Sequence, residues 1–209
     1  NLQSTAPDSG LDFQIHLDRR VTVKGVYDEP TDTTAWTLPY SDVEPLTVIL
    51  GGGFRGKGGR PVPNTVQQKN IITATGDYSR SACVIGRRYE FRYVFSEQHM
   101  RESREPAAPV IKRGRLQLRD FTVLHHDSGY FKSVVAAKGR DPVVKEHLGR
   151  IGDLSFLVGK PVIDAEPHRF GVLSKSDQVV IELVNDQHFP SNFTSAEWTG
   201  TFTADVRRI

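Results

Sequence analysis

The sequence has one cysteine, Cys83, in 209 residues, which excludes an internal disulfide framework. Cys83 lies in the small, apolar stretch SACVIG with Arg87 and Arg88 nearby but no local histidine, so it reads as a buried thiol and not as a nucleophile. No window approaches the roughly 18 consecutive apolar residues of a membrane-spanning helix, and the start of the chain shows no basic-then-apolar signal pattern. The expectation is no membrane insertion of this segment. Charge does not run in blocks of one sign: 27 Lys and Arg face 25 Asp and Glu, for a net charge of +2, interleaved as in RESREP. That balance removes the electrostatic argument for a dedicated nucleic-acid binder. No repeat of fixed period is visible. The chain opens at Asn1 without a methionine, which reads as processing or as a piece of something longer.

What is present points to strands. Apolar residues make up 37% of the chain, enough for a core, while 12 prolines and 18 glycines interrupt every candidate helix. Period-two alternation runs through Phe13, Ile15 and Leu17, then Val21 and Val23, with a turn or irregularity at 18–20. DEPTDTT reads as a loop, AWTLPY as a short strand closed by Pro39, and 43–50 as a strand with LTVIL buried. Further strands are expected at 70–75 and 82–85. RRYEFRYVFS alternates Tyr89, Phe91, Tyr93 and Phe95 on one face, which is expected to pack. Leu116 and Leu118 alternate up to a turn at Asp127, Ser128 and Gly129, and Tyr130 to Ala136 follows, so a hairpin is predicted there. VVKEHLGRIGDLSFLVGK is open between a short helix and irregular strands, and strands return at 178–184 and 193–206. The fold expected is mainly β, with antiparallel hairpins and sheets, sandwich- or barrel-like, and little helix. Two β-rich segments are expected, 1–110 with its glycine-rich loop 51–60 and 111–209 with the C-terminal strands, or else one intertwined domain.

Several residues invite a chemical reading, and each has a plainer one. GGGFRGKG at 51–58, after an apolar strand, nearly matches the phosphate-cradling pattern GxxxxGK[ST]. Its hydroxyl position is Gly58, however, and Gly59, Pro61 and Pro63 leave no sequence for the helix whose N-terminus completes such a site. A flexible surface loop is the reading adopted. His125, His126 and Asp127 could ligate a metal, but adjacent strand residues point to opposite faces, so a solvent-exposed hairpin end is expected. Asp153, Asp164, Glu166 and Glu182 could supply a carboxylate pair for glycoside cleavage only if the fold brought two of them together. Asn192, Phe193 and Thr194 form a glycosylation triplet with no secretory signal to give it meaning. Trp36 and Trp198 could be sugar-stacking platforms, although Trp198 sits in an alternating strand and reads as a packing residue. No catalytic residue, cofactor ligand or metal ligand is assigned, no cofactor is expected, and the chain reads as a structural or assembly protein, not an enzyme. The rival readings are a polysaccharide-degrading enzyme and a carbohydrate-binding domain.

Three segments together carry a resemblance: RYEFRYVFSE at 88–97, KRGRLQLRDFTVLHHDSGYFKSVV at 112–135, and the run from Val179 to Ile209. With LDRRVTVKGVYDEPTDTTAWTLPY at 17–40, they resemble the tail tubular protein B family, the tail nozzle proteins of short-tailed bacteriophages. The resemblance implies a C-terminal portion of a longer protein, located in the virion tail and made in the host cytoplasm. It implies self-association in a ring resembling a sixfold tube, a hexamer in the full-length protein, that extends an adaptor or gatekeeper ring and conducts DNA during ejection. It also implies tail fibres as neighbours, and contact with passing DNA that is transient and sequence-independent. This portion alone is expected to associate weakly. The family's function lies in surfaces, so no active-site residue carries over.

Overall fold

A computed structural model describes residues 15–54, 57–101, 111, 114–148 and 167–204. The described chain forms two compact units, one from 15–90 with 186–190 and the other from 91–148, 167–185 and 191–204. Both are built from antiparallel strands, as expected.

The first unit contains β1 (Asp18–Lys24), β2 (Val26–Asp28), β3 (Thr33–Thr37), β4 (Thr47–Leu50), β5 (Val66–Gln68), β6 (Ile71–Thr75) and β7 (Ala82–Arg87). They make a three-stranded sheet in the order β1-β7-β4 and a four-stranded sheet in the order β2-β3-β6-β5. Trp36, Ile72 and Ala74 of the larger sheet share one core with Val48, Leu50, Cys83 and Ile85 of the smaller. The smaller sheet is buried on its other face too, where Ile49 and Val84 join Ile15 and Leu17. Burial on both faces is why TVIL and ACVI are continuous apolar runs and not alternating ones. The irregularity expected at 18–20 is a break in the β1–β7 register between Asp18 and Val21, with Arg19 at φ 52°. Gly25 is demanded by space, since a Cβ there would stand 2.4 Å from Thr34 Cγ2 and 2.9 Å from Trp36 Nε1.

The second unit contains β8 (Phe91–Val94), β9 (Arg115–His126), β10 (Tyr130–Ala137), β11 (Val143–Leu148), β12 (His168–Lys175), β13 (Val179–Asn185) and β14 (Asn192–Thr203). A 3₁₀ turn at Ser176–Gln178 joins β12 to β13. The sheets are β11-β10-β13-β8 and β12-β9-β14. Leu116, Leu118, Phe121 and Val123 of β9 meet Phe131, Val135, Ile181 and Leu183 of the other sheet in one core. Inward positions on β9 change parity between Leu118 and Phe121, and that change coincides with breaks in register against both β12 and β14. A bulge of this kind resets which face a side chain takes. Gly200 sits at it because a Cβ would meet the Gln117 carbonyl oxygen at 2.6 Å.

Two expectations fail in this unit. The hairpin predicted across Asp127 to Gly129 does not form: β9 lies between β12 and β14, and β10 between β11 and β13. With both edges of each strand taken, the tight turn, in which Asp127 adopts φ 47°, carries the chain from one sheet to the other. The aromatic face of β8 is also not packed along its length, since Phe91 and Tyr93 stay 37% and 51% exposed. Only Phe95, just beyond the strand, packs on the core, its ring 4.8 Å from that of Phe121. Among the described residues, strand β8 is the outermost of its sheet and has one neighbour. In the segment left open between helix and strand, 143–148 is strand, and 149–160 lies outside the described residues.

Thr34 links local structure to the first core. Its buried hydroxyl donates to the Gly76 carbonyl at 2.6 Å and accepts from the Tyr78 amide at 2.9 Å. Thr34→Val keeps the volume but strands both backbone partners, and should lower stability by about 1–3 kcal/mol. The check is the urea midpoint at constant m-value.

Candidate functional site

The described part of the glycine-rich segment, 51–54 and 57–60, departs from the surface loop expected of it, since Gly51, Phe54, Gly58 and Gly59 are buried. It folds back on β4: Gly59 donates to the Leu50 carbonyl at 2.7 Å, Leu50 to Arg60 at 2.9 Å and Val62 to Val48 at 2.8 Å. Phe54 and Val62 are buried. The amides of Lys57 and Gly58 both donate to the Phe54 carbonyl at 2.9 Å, and that of Arg60 to Lys57 at 3.2 Å. The amides of Lys57 and Gly58, which a phosphate cradle would need, are therefore committed to the chain itself, and the described residues after Lys57 form no helix. One further bond fixes the segment. His188, 2% exposed, has Nε2 at 2.7 Å from the Gly59 carbonyl, so the ring donates there, while its own carbonyl accepts from the His16 amide at 2.7 Å.

The histidine pair is split as strand geometry requires, but only half of it lies where expected. His126 is exposed and stands 3.4 Å from Asp127. His125 is 4% exposed, a correction to the solvent-exposed hairpin end: it is an inward position of β9, on the core side of the bulge. There it joins two histidines that the sequence does not mark, His147 of β11 and His168 of β12. The His125 and His147 ring centres are 4.4 Å apart, and those of His147 and His168 5.9 Å. All three surround Phe131, with ring centres 5.0, 4.7 and 5.0 Å away.

Ser133 Oγ lies 3.0 Å from His168 Nε2 and 3.3 Å from the Lys145 carbonyl. With the hydroxyl proton donated to that carbonyl, the imidazole proton on Nε2 completes the set. A serine beside an imidazole suggests a nucleophile and its base, but Ser133 has no exposed surface, so no substrate reaches it. Burial first, then the charge of Lys145 and the other two imidazoles, push His168 down to about 4, which keeps it neutral near pH 7. No group of three or more His, Cys, Asp or Glu among the described residues has the geometry of a metal site.

Of the carboxylates, Glu182 is taken by Arg92, whose Nε and Nη2 reach it at 2.7–3.0 Å. Asp153, Asp164 and Glu166 lie outside the described residues. Trp36 has no exposed surface and cannot be a stacking platform, because it fills the first core. Trp198 packs against the second core, as read. Asn192 and Thr194 hold the turn region, Nδ2 donating to Asp127 and Oγ1 to Leu124. Exposed rings gather instead in a groove of about 600 Å³ in the second unit, lined by Phe91, Tyr93, Phe95, Phe193 and Asn192, where Phe91 stacks on Phe193 at 5.8 Å. No described helix is long and apolar enough to cross a membrane.

Two outcomes follow from the histidines. His188→Ala should leave the sheets formed and speed hydrogen exchange at the amides of Leu50 and Gly59, measured against the Ile85 amide as an internal reference. For His168, the unfolded chain takes up a proton near 6.5 while the folded chain resists until about 4. Stability is then full above 6.5 and falls as pH drops through that window. Urea midpoints at pH 7.5, 6 and 4.5 should decline in that order. His168→Gln should flatten part of the decline, leaving the part due to His16 and His188, which burial also holds low.

The arrangement thus offers buried imidazoles, committed amides and one open aromatic groove, and the serine that stands beside an imidazole, Ser133, has no exposed surface. No curated protein matches the chain. The family model of the bacteriophage nozzle protein matches residues 1–209, its whole length. The chain belongs to the bacteriophage nozzle protein family and is a structural component of the phage tail.

Proposed function

We propose that the chain forms part of a ring-shaped nozzle that continues the tail from an adaptor ring and lets DNA pass during ejection. The observation that carries this reading is the family match over all 209 residues. The chemistry of the chain is compatible with a conduit. Positive and negative side chains are nearly balanced, at 27 and 25, so passing phosphates meet no concentrated basic surface that would hold them. Two independently cored β units provide stiff walls, and the segment that could have bound nucleotide spends its amides on itself. Partners in this reading are further copies of the chain, the adaptor ring, tail fibres, and DNA in transient, sequence-independent contact.

Electron microscopy of virions labelled with gold-conjugated antibodies against this chain tests the location. Label confined to the tail is the expected result. Accessible, intact virions without label would remove the nozzle reading and leave glycan binding in the groove of Phe91, Tyr93 and Phe193 as the better account.

A further inference from the structure

An unpaired strand edge invites pairing with another chain, and proteins blunt such edges with bulges, short strands, prolines or covering segments. Four sheets give eight edges, and among the described residues six are blunted. Strand β1 has a register break at Asp18 to Val21, and β4 is covered by the returning segment through Pro61. Strands β2 and β5 have three residues each. Strand β12 breaks register between Gly171 and Ser174, and β14 breaks twice against β9.

The two exceptions are the opposite edges of one sheet, β8 and β11. Their ladders to β13 and β10 run without a break, and neither strand contains proline or glycine. Both edges display apolar side chains: Tyr93 and Val94 are 51% and 50% exposed, Val143 and Val144 62% and 52%. Charges that would discourage a partner are engaged within the unit. Arg92 is bound by Glu182, Lys145 Nζ donates to the Arg169 carbonyl, and Glu146 accepts from the Tyr130 hydroxyl.

The sense of the strands identifies the occupant. Alternation through β11-β10-β13-β8 is antiparallel at each step, so β8 and β11 run in opposite directions. A second copy set beside the first in the same orientation therefore brings its β11 antiparallel to β8 and continues the ladder. A foreign strand would satisfy one edge, whereas copies of this chain satisfy both. We propose that β8 of one copy pairs with β11 of the next, so that this sheet continues from subunit to subunit through a head-to-tail contact. Such contacts close into rings or run on as filaments, according to the rotation between copies. Closure into a ring rests on the function proposed above; the pairing does not.

Phe95 donates to the Ile181 carbonyl at 2.9 Å, so Tyr93 and Phe91 also turn their amides toward β13, while Val94 turns its amide outward. In the full chain, Val94→Cys combined with Val143→Cys, or separately with Val144→Cys, tests the contact, since adjacent residues of β11 face opposite sides and one of them shares the face of Val94. Under oxidation, one combination should give a ladder of covalent multiples on a non-reducing gel, with native Cys83 buried and silent. Val94→Pro removes only an outward amide and should abolish most assembly while circular dichroism stays unchanged. A dimer from Val94→Cys alone would mean β8 meets β8 and would overturn the head-to-tail contact. If neither double variant forms a ladder although micrographs show rings, the edge pairing is wrong and the nozzle reading stands. Ladders from virions that carry no tail label would uphold the pairing and remove the nozzle reading.

Discussion

A backbone amide withdrawn from water must find an acceptor, and in a chain with so little helix nearly all of that demand falls on strand pairing. The requirement reaches well beyond the sheets. It explains why β9 and β10, neighbours in sequence with a turn between them, do not pair: each has two other partners that use both its edges. It bears on why a glycine-rich segment with a lysine in a suggestive place is not a phosphate cradle: the Lys57 and Gly58 amides are spent on the Phe54 carbonyl, while Gly59, Arg60 and Val62 extend the sheet past β4. The same accounting isolates β8 and β11, each of which has one strand neighbour among the described residues.

Burial of imidazole is the second theme. Three histidines from strands of both sheets of the second unit, His125 and His168 buried and His147 half-buried, surround the fully buried ring of Phe131. An uncharged imidazole packs as an aromatic of moderate size, whereas burial works against the charged form. At His168 burial keeps the ring neutral near pH 7. For His168 the polar partner is local, through Ser133 and the main chain of β11.

Much of this architecture is legible in the residues. Continuous runs such as TVIL announce a strand buried on both faces, and the irregularity at Asp18 to Arg20 is visible as a lapse in alternation. Strand β12 is harder to read, although His168, Phe170 and Val172 do alternate inward, because a histidine and a glycine dilute the pattern. The histidine cluster is not legible at all. Positions 125, 147 and 168 become neighbours only through the pairing of three strands, and no local spacing encodes that. Trp36 shows the converse limit, since the same indole suits a sugar platform or a core and only the second sheet of the first unit decides.

The bond between His188 and Gly59 joins residues 129 positions apart, and residues 186–190 belong to the unit whose other described residues are 15–90. On a ribosome, the strands of the first unit emerge early, yet the segment that secures its glycine-rich loop arrives only after every described strand of the second unit except β14 has been made. Contacts of such separation are slow to form. The early strands must therefore wait in an unfinished state, and a chain cut short before residue 186 lacks the piece that completes its own beginning.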